Sequence, residues 1–172
     1  GPELKVGVPQ PALNIDMDAH TNVESLSFSF DKEKKEIPVV FIHERFSKAL
    51  IPIPIPDITP LNPPLGLVPP IPVKITYLED TAGMPPLRAA LHGLAYASQH
   101  ADAVSGTGTL DVLRYGRILK SRRLVGVRGA GAAFNGLYYV TKVTHSIKRG
   151  EYKQNFELSR NGLLSTVPEV PV

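Results

Sequence analysis

The side chains most able to do chemistry are the five histidines, His20, His43, His92, His100 and His145. Their spacing builds no metal centre. No two stand in an HExxH arrangement, and His92 and His100, eight residues apart on one expected helix, share a broad face but not one metal ion. Histidines without such partners read as structural or surface residues satisfied locally. The absence of cysteine excludes disulfides, thiol catalysis and Cys-ligated zinc. No serine lies in a GxSxG elbow. The carboxylates fall in charge runs such as DKEKKE, 31–36, or on alternating solvent faces, and form no acid/base pair. Gly129-Ala130-Gly131 follows an expected strand, as a dinucleotide loop would. Phe134, however, stands at the third glycine position, and a second strand follows where the motif needs a helix. The expectation is therefore no enzyme, no cofactor, no metal and no small-molecule substrate. The residual catalytic reading is a hydrolase that uses His145 with a carboxylate.

Binding chemistry is better represented. Residues 110–160 carry eleven Lys and Arg against three Asp and Glu, although the net charge of the whole chain is only +3. Such a cluster suits nucleic acid or another polyanion, or an inter-subunit contact, or plain solvation. The aromatics here alternate into the expected core and are not interleaved with cations on one face, as a stacking platform requires. Nucleic acid is thus the second choice. Arg122, Arg123, Arg128, His145 and Arg160 are the candidate partner contacts of this region.

A second binding element is IPIPIPDITPLNPPLGLVPPIP, 51–72, with nine prolines among twenty-two residues. Successive N–H groups of an extended chain point to opposite sides. Pro52, Pro54 and Pro56 remove every donor from one side, while Ile51, Ile53 and Ile55 keep theirs on the other. Such a segment pairs along one edge and blocks growth along the second. Alternatives are a stiff spacer or an SH3-type ligand, which lacks here the flanking basic residue. The preferred expectation is an ordered arm packed across its own domain or onto an adjacent protomer.

These groups must be positioned by a mainly β domain. Residues 23–31, VESLSFSFD, alternate Leu26, Phe28 and Phe30 against Ser25, Ser27 and Ser29, the period of a half-buried strand. PVVFIHERF, 38–46, and VKITYLED, 73–80, are further strands. Pro86 starts a helix over about 86–103, with Leu87, Leu91, Leu94 and Ala95 at helical spacing, and SGTG, 105–108, ends it. LDVLRYGRIL, 110–119, fits neither period. The last third predicts an antiparallel meander: strands at 123–129, 137–147 and 151–160, with turns at Asn135-Gly136 and Gly150. On the middle strand, simple alternation places His145 with Tyr139 and Val143. Residues 1–22 read as a loose arm, with Gly1-Pro2 a possible tag-removal scar. Residues 23–163 form the domain, interrupted by the proline arm at 51–72, and 164–172 a tail.

The stretch RLVGVRGAGAAFNGLYYVTKVTHSIKRGEYKQNFELSRNGL resembles the end of the phage late control protein D family. These are tail hub proteins, related to the hub module of type VI secretion spikes and of extracellular contractile injection systems. The pattern comprises Val125, Val127 and Gly129, then Phe134, Gly136, Tyr138, Val140, Val143 and His145, then Gly150, Tyr152, Phe156, Leu158 and Arg160. TNVESLSFSFD, 21–31, is similar to the segment with which the family enters its final barrel. The proline arm is outside the pattern. The resemblance implies an antiparallel split β-barrel of the tail-tube type with one flanking helix. It implies a homotrimer acting as adaptor between tail tube and central spike, in a virion tail or, before assembly, in the bacterial cytoplasm. Tube and spike proteins are then the partners, with no cofactor and no membrane insertion. Arg160 and His145 are positions at which that family could meet a partner.

Overall fold

A computed structural model describes residues 5–31, 36–43, 49–55, 65–68 and 74–166. The strands are β1 (Gln10–Asn14), β2 (Val23–Phe30), β3 (Glu36–His43), β4 (Leu50–Pro54), β5 (Gly66–Val68), β6 (Lys74–Leu78), β7 (Val104–Asp111), β8 (Leu124–Arg128), β9 (Gly136–Lys148), β10 (Glu151–Arg160) and β11 (Leu163–Ser165). Helix α1 (Pro86–Gln99) precedes β7, and a single turn, α2 (Val112–Tyr115), follows it. The fold is mainly β with one flanking helix.

The main sheet has the order β1-β8-β9-β10-β7-β2 and curls into a half barrel. Its concave side is the core: Leu13, Val23, Leu110, Val125, Tyr138 and Phe156 are all almost fully buried. At one end the curl is stitched shut. The Asn22 amide, just before β2, accepts from Asn14 N–H at 2.7 Å and donates to the Ala12 carbonyl at 2.9 Å. The outer strands β1 and β2 are not paired with each other, so the barrel is split.

Residues 5–22 are therefore not the expected loose arm. Lys5 is buried against Asp102, and β1 pairs parallel with β8. SGTG is not a helix stop but the middle of β7, paired on both sides. Its glycines are required by neighbours: a Cβ on Gly108 would stand 2.6 Å from Phe156 Cζ, and one on Gly106 2.8 Å from Phe28 Cε1. The two rings fill the space that side chains on β7 would take. In β9 the pairing jumps from Glu157↔Lys142 to Leu158↔Val140, so Thr141 is a bulge. The extra residue reverses the parity of the strand. His145 shares a face with Val143, Val140 and Tyr138, and Tyr139 lies on the opposite side, contrary to simple alternation.

The second unit is the sheet β4-β3-β6, covered on one side by α1. The helix buries Ala89, Gly93 and Ala97, one small residue per turn, and Leu94 packs partly buried against the same core. A Cβ on Gly93 would meet Val40 Cγ1 at 2.7 Å and Ile55 Cγ1 at 2.8 Å, so backbone lies directly on the sheet. Leu87 and Leu91, expected on the apolar face, are 74% and 58% exposed.

The proline arm is part of these sheets where it is described. In β4 the alternate N–H groups turn toward β3, as Ile55 N–H does toward the Pro38 carbonyl at 2.9 Å, so Pro52 and Pro54 form the outer edge. Further on, β5 pairs with β11, so Leu164 and Ser165 are strand and not tail. The Asn161 carboxamide holds that turn by accepting from the Leu65 and Gly66 N–H groups, both at 2.9 Å. Residues 56–64 and 69–72 of the arm lie outside the described residues.

Candidate assembly surfaces

The last residue of β10 corrects one expectation. Arg160 shares parity with Phe156 and Leu158, and it is fully buried. Its guanidinium donates to the carbonyls of Gly162 (2.7 Å), Asn135 (2.9 Å) and Ala133 (2.7 Å) and lies 4.5 Å from the Tyr138 ring centroid. Burial pushes its pKa down, against the influence of Tyr138. Tyr138 itself is pushed up to about 12 by burial, and its hydroxyl donates to the Phe134 carbonyl at 2.8 Å. Arg160 therefore binds the turn before β9 to the end of β10 within its own protomer and faces no partner. Its parity with the core residues was the available signal.

The convex face of β2, β7, β10 and β9 carries hydroxyls in cross-strand rows. Ser25, Thr109, Asn155 and Thr144 form one row; Ser27, Thr107, Glu157 and Lys142 form the next. They line a shallow 390 Å³ depression. Six of the eight pair with one another: Thr109 Oγ1 donates to Asn155 Oδ1 at 2.7 Å, Ser27 and Thr107 hydroxyls are 3.1 Å apart, and Lys142 pairs with Glu157 at 3.1 Å. Among the described residues no group of three or more His, Asp or Glu could hold a metal ion. No described helix is long and apolar enough to cross a membrane.

Cations elsewhere differ in how they are matched. Lys153 bridges Glu24 and Glu151, and Lys74 pairs with Glu36. Arg88, Lys148 and Arg149 are exposed without an ion pair among the described residues, and the loop of residues 112–123 gathers five such cations. Arg114, Arg117, Lys120, Arg122 and Arg123 are exposed and make no ion pair among the described residues. The loop beneath them is nonetheless fastened at short intervals. Tyr115 is buried, with its hydroxyl on the Pro11 carbonyl at 2.6 Å. The buried Gln154 amide both donates to and accepts from the Leu119 backbone at 2.9 Å, and the Gln10 amide does the same for Lys120. Arg122 N–H donates to the Val140 carbonyl at 2.7 Å.

The remaining candidates fall in three places. Ile51 and Ile53 are exposed at 44% and 38% on β4, whereas Ile55 is buried against Val40 and α1. Arg122 and Arg123 lie on the basic loop, and Arg128 is half-buried at the end of β8. His145 is exposed near the β9–β10 hairpin, its Nδ1 2.7 Å from the Tyr152 hydroxyl and 3.4 Å from Gln154 Nε2. Those neighbours include no carboxylate, so the hydrolase reading has no partner for it. Sequence reasoning passed over α1's exposed Leu87 and Leu91, and Ile75 and Tyr77 of β6, which are 57% and 58% exposed.

No protein-family model matches the sequence, and no curated protein matches it. Solved structures do. A tail protein from Neisseria meningitidis MC58 superposes with a TM-score of 0.58 at 14% identity, over 92% of this chain and 46% of that one. The 43 kDa tail protein of prophage MuSo2 from Shewanella oneidensis gives 0.50 at 12% identity, over 96% and 45%. The chain spans less than half the length of either. The split half barrel with its flanking helical unit is thus a fold found in phage tail proteins.

Proposed function

We propose that this protein is a structural component of a phage tail or a tail-like contractile injection machine, acting by assembly as a hub or baseplate adaptor between tube and spike. The observation that carries this reading is the shared fold with two tail proteins over more than nine-tenths of the chain. Three further features support it. The convex face carries cross-strand rows of polar side chains, several of them paired with one another. The barrel is left open between β1 and β2. Large apolar side chains stand exposed on β4, β6 and α1. Such a surface suits burial between subunits better than catalysis. The working form under this reading is a homotrimer in contact with tube and spike proteins.

Light scattering of the purified chain over a range of concentrations, followed by mixing with tube and spike proteins encoded beside it, tests the reading. A defined oligomer that captures either partner is the expected result. A strict monomer at high concentration, inert toward both, overturns it.

A further inference from the structure

We propose that the basic loop, 112–123, docks onto the Glu79–Asp80 turn of a second copy of this chain, head to tail. The inference rests on the assembly reading and names the surfaces that would carry it.

The loop is preorganised: Tyr115, Leu119, Lys120 and Arg122 are each tied down by the hydrogen bonds given above, so little freedom remains to be lost on docking. Its cations have no carboxylate among the described residues, whereas Lys74, Lys142 and Lys153 are paired. Four of the five are arginine, whose planar fork suits carboxylates and which is enriched at protein interfaces where lysine is depleted. Leu113 and Ile118 protrude among them at 78% and 49% exposure, too apolar for a surface meant to stay in water.

The same chain carries the complement. Glu79 and Asp80 are exposed and unpaired among the described residues, and they follow the exposed Ile75 and Tyr77 in sequence, with the buried Leu78 between. One patch is cationic with aliphatic side chains, the other anionic with apolar ones. They are different patches, so docking them head to tail is heterologous: a pair of copies keeps one free loop and one free turn, and closure gives a ring. Nucleic acid fits the loop less well, because Tyr115 is buried and offers no ring for a base to stack on.

The test uses the full chain and two charge reversals, Arg114→Glu/Arg117→Glu and Glu79→Lys/Asp80→Lys, with sedimentation at low and high salt. All four positions are exposed, and circular dichroism checks folding. If the arginine reversal fails to fold, Arg114→Ala/Arg117→Ala replaces it. Each reversal is expected to weaken self-association by about tenfold or more. Mixing the two should restore a hetero-oligomer, since opposite charges again meet. If the wild type assembles and the arginine variant assembles equally, the docking is overturned while the assembly reading stands. If every form is monomeric at high concentration, both fall. If the reversal instead abolishes binding to duplex DNA or to phosphatidylglycerol vesicles and leaves assembly unchanged, the loop is a polyanion site and the proposal is overturned.

Discussion

Arg160 concentrates the local logic of this protein. A charged residue ends a core-facing strand because three carbonyls, of Ala133, Asn135 and Gly162, need donors where water does not reach. Arg160→Met leaves all three unpaired and should cost about 3 kcal/mol or more of unfolding free energy. Lys at this position should rescue little, since a single ammonium cannot reproduce the planar fork. Urea denaturation of the three proteins checks this. Gly108 offers a second case, in which a residue type is dictated by the residue opposite it on the adjacent strand. Gly108→Val should lower the melting temperature, with a cost of about 1–3 kcal/mol for overpacking against the Ser25 carbonyl and the Phe156 ring. Arg160 was legible from parity alone. Gly108 was not, because nothing in SGTG announces that an aromatic ring from β10 will lie over it.

At the scale of elements, α1 and the two outer strands of the second unit show how propensity and packing divide the work. The Glu36 carboxylate joins β3, β6 and α1: it accepts from Lys74 Nζ (2.7 Å), Thr76 Oγ1 (2.6 Å) and Tyr96 Oη (2.9 Å). These bonds, led by Lys74, lower its pKa from 4.5 to about 2. A group depressed in the folded state stabilises above its unfolded pKa and loses that contribution as pH falls toward the folded value. Acid should therefore loosen this unit between about pH 4.5 and 2. Glu36→Gln should be less stable at neutral pH and flatter across that window, as thermal melts against pH would record. The β4 edge makes a separate prediction. Pro52→Thr with Pro54→Thr restores two outward donors and should turn a blocked edge into a template for strand addition, read as rising light scattering with time. The helix shows why periodicity misleads. Leu87 and Leu91 have the right spacing for a core stripe, but Ala89, Gly93 and Ala97 allow a closer approach to β3, and the small side wins. Helical spacing identifies a stripe; which stripe faces inward depends on the shape of the sheet beneath.

For the whole molecule, closure of the barrel is the decisive event. The main sheet begins with residues 10–14 and ends with 23–30, and one side chain between them, Asn22, joins its two edges. Asn22→Ala should open that seam and speed amide exchange in β1 and the start of β2 ahead of the rest of the sheet. Exchange mass spectrometry would see it, and uniform protection would refute the seam. Alternation, β-branched content and turn glycines by themselves determined a β domain, the helix start at Pro86, the meander of the last third and the one-sided proline edge, because these depend on neighbours within a few residues. Tertiary structure alone decided that 10–14 joins the sheet parallel to β8, that SGTG is a strand, and that Thr141 reverses a face. Each of those depends on a backbone or ring brought in from far along the chain, and local sequence carries no record of which partner will arrive.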